Sequence, residues 1–85
     1  MKEKIMLRAK AKKLEPVVRI GKQGLNGNSL KEIMKVLEKR KLIKIKLLQG
    51  SLKAADKSRI ASEIISKTNS ELIDAVGNII VIYKS

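Results

Sequence analysis

The sequence predicts an α/β domain in the order α-β-α-β-α-β-β, with four strands in one mixed sheet packed with helices. Three observations carry this reading. Leu30, Ile33, Met34 and Leu37 recur at helical spacing. Ile43, Ile45 and Leu47 alternate with Lys44 and Lys46, as in a strand with one wet, basic face. Ile79-Ile80-Val81-Ile82 is apolar on both faces, which fits an interior strand. Helices then have to cover the sheet in two or three layers.

The remaining elements follow along the chain. Residues 3–13 predict a basic helix with Leu7, Ala11 and Leu14 on one side. Pro16 ends it and pushes Glu15 towards an extended conformation, so Val17 to Ile20 becomes a short strand. The next helix begins near Asn26 or Ser29; Ser29 with Glu32 fits a capping box, and Asn26 is an alternative cap. Gln49-Gly50-Ser51 reads as a loop. Ile60, Ala61, Ile64, Ile65 and Thr68 place a helix at about 55–67. Strands over 72–76 and 79–83 meet at Gly77-Asn78, a hairpin dipeptide.

With 85 residues the chain is read as a single domain, 1–85, with one aliphatic core. Tyr83 is the sole aromatic residue and is expected to pack in the core or at the sheet edge. Cysteine and histidine are both absent, so disulfides, thiolate metal sites and the commonest general base are excluded. Of the eight carboxylates only Glu71 and Asp74 lie close in sequence, and no P-loop or metal-ligand spacing accompanies them. No enzyme, cofactor or metal is expected. No apolar run approaches the ~20 residues a bilayer span needs. The apolar side of the first helix is only Ile5, Leu7, Ala11 and Leu14, too thin for firm membrane anchoring. The opening Met1-Lys2-Glu3-Lys4 has no long apolar segment of the signal-peptide kind, so a cytoplasmic location is expected. No spare apolar stripe is evident, so the expected state is a monomer.

Charge narrows the function. The net charge is +12, and residues 1–50 hold fifteen of the twenty basic residues against four of the eight acidic ones. Eleven of the twelve excess charges therefore lie in that part. A mixed Lys/Glu surface would balance itself; this one repels itself until a polyanion neutralises it.

The same part contains Gly21-Lys22-Gln23-Gly24, between an apolar strand and an amphipathic helix. A glycine-framed turn there exposes backbone N–H groups at the positive end of a helix dipole, a phosphate-sized site that a sugar-phosphate chain can approach closely. Lys22 adds a mobile charge. Arg19, Lys31, Lys35, Lys44 and Lys46 extend the positive surface, and Arg8 and Lys12 of the first helix are further candidates, alongside Lys10 and Lys13. Charged helix faces are ordinarily just solvated, but Lys31, Lys35 and Lys39 recur every four residues beside this turn.

These residues carry a family resemblance. Leu7, Ala11, Leu14-Glu15-Pro16-Val17-Val18-Arg19-Ile20-Gly21-Lys22-Gln23-Gly24-Leu25 resembles the opening of the YhbY/CRM-domain family of RNA-binding proteins, with its Pro-Val pair followed by G-K-x-G-L. Leu42-Ile43-Lys44-Ile45-Lys46 resembles its second signature, and Gly77 to Tyr83 its closing strand. One departure is Lys41, where a glutamate often precedes Leu-Ile-Lys. The resemblance implies a fold similar to the C-terminal domain of initiation factor three. It also implies RNA binding, with ribosomal RNA or precursors of the large ribosomal subunit as partner, and a loop at Gly21–Gly24 comparable to that of KH domains. Without an exposed aromatic platform, recognition should rest on phosphates and RNA shape, with weak sequence preference. The alternative is an architectural chromatin or general nucleic-acid-binding protein similar to Alba; the few bases around Gly77-Asn78 argue against a DNA-gripping arm.

Overall fold

Pro16 decides where the first helix stops. The computed structural model describes residues 2–21, 27–48 and 54–84. In it α1 spans Lys2–Ala11, two residues short of the expected end. The amide of Lys12 still donates to the Arg8 carbonyl at 3.1 Å. Those of Lys13 and Leu14 tighten to i→i−3 bonds, on Lys10 at 3.1 Å and Ala11 at 3.0 Å. This closing turn delivers the chain to Pro16 already out of the α conformation.

The strands are β1 (Val18–Ile20), β2 (Leu42–Leu47), β3 (Glu71–Val76) and β4 (Ile79–Tyr83). They form one sheet in the order β1-β2-β4-β3. β1 runs parallel to β2, while β4 is antiparallel to both β2 and β3. The doubly apolar run expected to be interior is indeed interior. At the hairpin Gly77 has φ +57 and Asn78 does not share a positive φ, the sign pattern of a type II′ turn. A register shift between Leu72 and Asp74 inserts Ile73 into β3 as a bulge.

The other helices are α2 (Gly27–Arg40) and α3 (Ala54–Thr68). Because α2 starts at Gly27, Ser29 lies inside it and is not its N-cap. A helix whose packing begins at Leu30 needs a preceding turn, whose carbonyls receive the amides of residues 31–33. Asn26, the alternative cap, lies outside the described residues. Both helices end through a left-handed residue: Lys41 at φ 62, its amide on the Leu37 carbonyl at 2.9 Å, and Asn69 at φ 56. After Asn69 the amide of Ser70 reaches the Ile65 carbonyl at 3.1 Å, completing a Schellman closure.

Two cores result, one on each side of the sheet. Val18, Ile20, Ile43, Ile45, Leu47, Ile80 and Ile82 meet Ile33 and Leu37 of α2 and Ala61 and Ile64 of α3. On the opposite side Ala11 of α1 packs with Ile73 and Val81, flanked by half-buried Leu7, Leu42, Ile79 and Tyr83. Tyr83 is thus a packing residue. Thr68 is the one buried polar residue among those described; its hydroxyl donates to the Ile64 carbonyl at 2.6 Å and lies 2.7 Å from the Ser70 hydroxyl.

Candidate nucleic-acid interface

Strand alternation sorts the cations. In β1 and β2, Val18, Ile20, Ile43, Ile45 and Leu47 turn towards α2 and α3. Arg19, Lys44 and Lys46 therefore turn to the other side, which α1 covers over β2 and β3. Arg19 and Lys46 are exposed and Lys44 is half-buried. Arg19 and Lys46 are also direct register partners in adjacent strands. Two like charges side by side are destabilising unless an anion lies across them. Neither β1 nor β2 contains an acidic residue.

Arg8 and Lys12 reach the same side from α1. They line one groove with Lys44. The Arg8 Nε donates to the carbonyl of Ile73 at 3.1 Å, so this side chain also anchors α1 to the bulge in β3. Arg8, Lys12, Arg19, Lys44 and Lys46 thus form one basic surface.

Lys31 and Lys35 stand apart from it. α2 buries Ile33 and Leu37 against the far side of β1 and β2, leaving both lysines exposed on the opposite layer. Glu32 and Glu38 border them there. The two candidate groups therefore share only the margin of the molecule along β1, and the α2 face is the more nearly neutral. The spacing in sequence could not reveal this division, which depends on which side of the sheet α2 covers.

Gly21 leaves β1 at that margin. It is exposed, its φ lies outside the left-handed region, and a Cβ there would meet no atom within 4 Å. Lys22, Gln23 and Gly24 lie outside the described residues. Around Gly21 several ends converge. β1 and β2 finish level, with the Leu48 amide on the Ile20 carbonyl at 2.8 Å. The Leu47 amide bonds the Asn78 carbonyl at 2.7 Å, which brings the β3–β4 turn to the same end. α2 also starts with no acidic residue in its first turn, where the positive end of its dipole lies. At the other end of the sheet Glu71 pairs with Lys4 at 3.7 Å.

Among the described residues no group of three or more Asp, Glu, His or Cys is placed to hold a metal ion. No helix there is long and apolar enough to cross a membrane.

Comparison with known proteins identifies the family and the fold. The family model of the CRS1 / YhbY (CRM) domain matches residues 1–84. The probable RNA-binding protein YqeI of Bacillus subtilis is 41% identical over 83 residues, covering 98% of this chain and 84% of YqeI. A probable RNA-binding protein of Methanocaldococcus jannaschii is 40% identical over 83 residues; the match covers 98% of this chain and 61% of that protein. The solution structure of a hypothetical protein of Staphylococcus aureus, for which RNA binding has been suggested, superposes with a TM-score of 0.85 at 40% identity. That match covers 99% of this chain and 85% of the other. Sequence and fold agree over nearly the whole length, and the chain belongs to the CRS1 / YhbY (CRM) domain family.

Proposed function

We propose that this chain is a non-catalytic, single-domain RNA-binding protein of the cytoplasm, acting as a monomer on ribosomal RNA or large-subunit precursors during ribosome assembly. The observation that carries the reading is the adjacent pair Arg19 and Lys46, continued by Lys44 and Lys12, on a sheet side whose two nearest strands lack any acid. Such a surface repels itself until an extended anion neutralises it. The RNA-binding names of relatives at about 40% identity support the choice of polyanion. Phosphates would lie across Arg19, Lys46 and Lys44 and reach the Gly21–Gly24 loop, where Lys22 and main-chain amides clamp them. Lys31 and Lys35 would guide a strand that rounds the β1 margin. The β3–β4 hairpin, residues 71–83, carries Glu71 and Asp74 and no Lys or Arg, which disfavours an Alba-like grip on duplex DNA.

The test is binding of a short single-stranded RNA across a salt series. Affinity should fall with a log–log slope of about −0.7 per phosphate neutralised. Replacing Lys22 and Gln23 together by Asp sets like charges at the phosphate site and should weaken binding by about tenfold or more, with helical content unchanged. Affinity indifferent to salt would refute the electrostatic mechanism. Binding that survives the double substitution in a folded protein would reduce the loop to a connection.

A further inference from the structure

A groove of about 320 Å³ opens on the basic side of the sheet, beside the C-terminal half of α1. Its floor is apolar, built from Ile79 and Val81 of β4. Arg8, Lys12 and Lys44 supply cations on its walls. Asp74 is the single carboxylate that lines it. This composition is wrong for a phosphate track, because a carboxylate repels phosphate. It is equally wrong for a purely apolar ligand, given three cations.

Asp74 has no evident task in the fold. It stands on β3 opposite Val81, directly after the bulge at Ile73, and is half-buried. One of its oxygens accepts the amide of Ala75 at 3.0 Å. Among the described residues it makes no ion pair, although three cations line the same groove. The bulge fixes where Asp74 emerges, and the Arg8 hydrogen bond to the Ile73 carbonyl fixes the bulge against α1.

We propose that this groove takes one base of the bound RNA, a guanine, with Asp74 reading its edge; the inference rests on the RNA reading above. An ionised carboxylate only accepts hydrogen bonds. The Watson–Crick edge of guanine offers two adjacent donors, N1–H and the N2 amine, which match two carboxylate oxygens side by side as a guanidinium does. Adenine, cytosine and uracil each place an acceptor beside their donor, and a carboxylate repels it. Ile79 and Val81 contact the base, in place of the aromatic platform this chain lacks. Arg8, Lys12 and Lys44 hold the phosphates on either side. Asp74 thereby gives an otherwise sequence-indifferent surface one point of selection.

The experiment compares a uridine-rich RNA bearing a single central guanine with the same RNA bearing inosine or uridine there, at fixed salt. The wild-type chain should favour guanine over uridine by about fivefold or more, a preference within the range of a good bidentate base contact. Inosine, which lacks the N2 amine, should lose most of that preference. Asp74→Asn presents a donor where an acceptor stood. It should bring guanine and uridine within about twofold of each other while leaving affinity for the all-uridine RNA undiminished. Equal wild-type affinity for guanine and uridine overturns the proposal, as does an Asp74→Asn protein that still prefers guanine. Retained binding of the all-uridine RNA in either case leaves the RNA reading standing, whereas failure of the wild-type chain to bind any of the three removes that reading as well. Should Asp74→Asn not fold, the guanine–inosine comparison in the wild-type chain decides the matter alone.

Discussion

Lys41 occupies a backbone conformation that suits glycine better than lysine. Its φ of 62 closes α2 and turns the chain directly into β2, with its amide on Leu37 and its carbonyl receiving the Lys84 amide at 2.9 Å. In an L-residue this conformation crowds Cβ against the carbonyl oxygen. The sequence held no signal for this strain, since a lysine between Arg40 and Leu42 resembles any other basic surface residue. Lys41→Gly should therefore stabilise the fold by about 0.5–1 kcal/mol, even after the extra freedom glycine gains when unfolded. Asn69, at φ 56, is the internal control. Asparagine tolerates this region, so Asn69→Gly should gain only a few tenths of a kcal/mol. Urea midpoints of the two variants check the ranking. A lower midpoint for Lys41→Gly would show that the lysine side chain supports the fold more than its backbone strains it.

Among the elements, the two sides of the sheet are held unequally. α2 and α3 close a continuous aliphatic core in which Ile33 and Ile64 are fully buried, while α1 contributes fully buried Ala11 and half-buried Leu7. Among the described residues its other polar ties are the Arg8 hydrogen bond and the Lys4–Glu71 pair, and an exposed ion pair adds ~0–1 kcal/mol. Ile64→Ala should cost about 2–5 kcal/mol globally. Leu7→Ala should act locally, raising amide exchange in α1 while α2 keeps its protection. α1 amides that exchange as slowly as those of α2 would show the thin layer to be part of the same cooperative unit. Much of this organisation was legible in the sequence. The stripe at Leu30, Ile33 and Leu37 and the alternation at 43–47 report one-sided burial, and the run at 79–82 reports burial on both sides. What periodicity could not give was which side of the sheet each helix covers. It therefore grouped Lys31 and Lys35 with Lys44 and Lys46, which the fold separates. The bulge at Ile73 was also hidden, because one inserted residue leaves no mark in a six-residue strand.

At the scale of the whole molecule, net charge and local geometry both draw a polyanion, and they can be separated. Reversing Arg19 and Lys46 to glutamate takes the net charge from +12 to +8, and so does reversing Lys31 and Lys35. Long-range attraction, screened beyond about 8 Å at physiological salt, weakens similarly in both variants. The difference between them then reports local placement. Arg19 and Lys46 lie side by side on strands without acids, whereas Glu32 and Glu38 already border Lys31 and Lys35. Replacing one like-charge pair by another at positions 19 and 46 leaves the cross-strand repulsion in kind, so the fold should keep its thermal midpoint within a few degrees. RNA affinity should nevertheless drop about tenfold further for Arg19→Glu with Lys46→Glu than for Lys31→Glu with Lys35→Glu. Equal losses would mean that total charge alone attracts the RNA. A greater loss from the α2 pair would move the RNA track to the opposite layer of the molecule, away from the groove at Asp74.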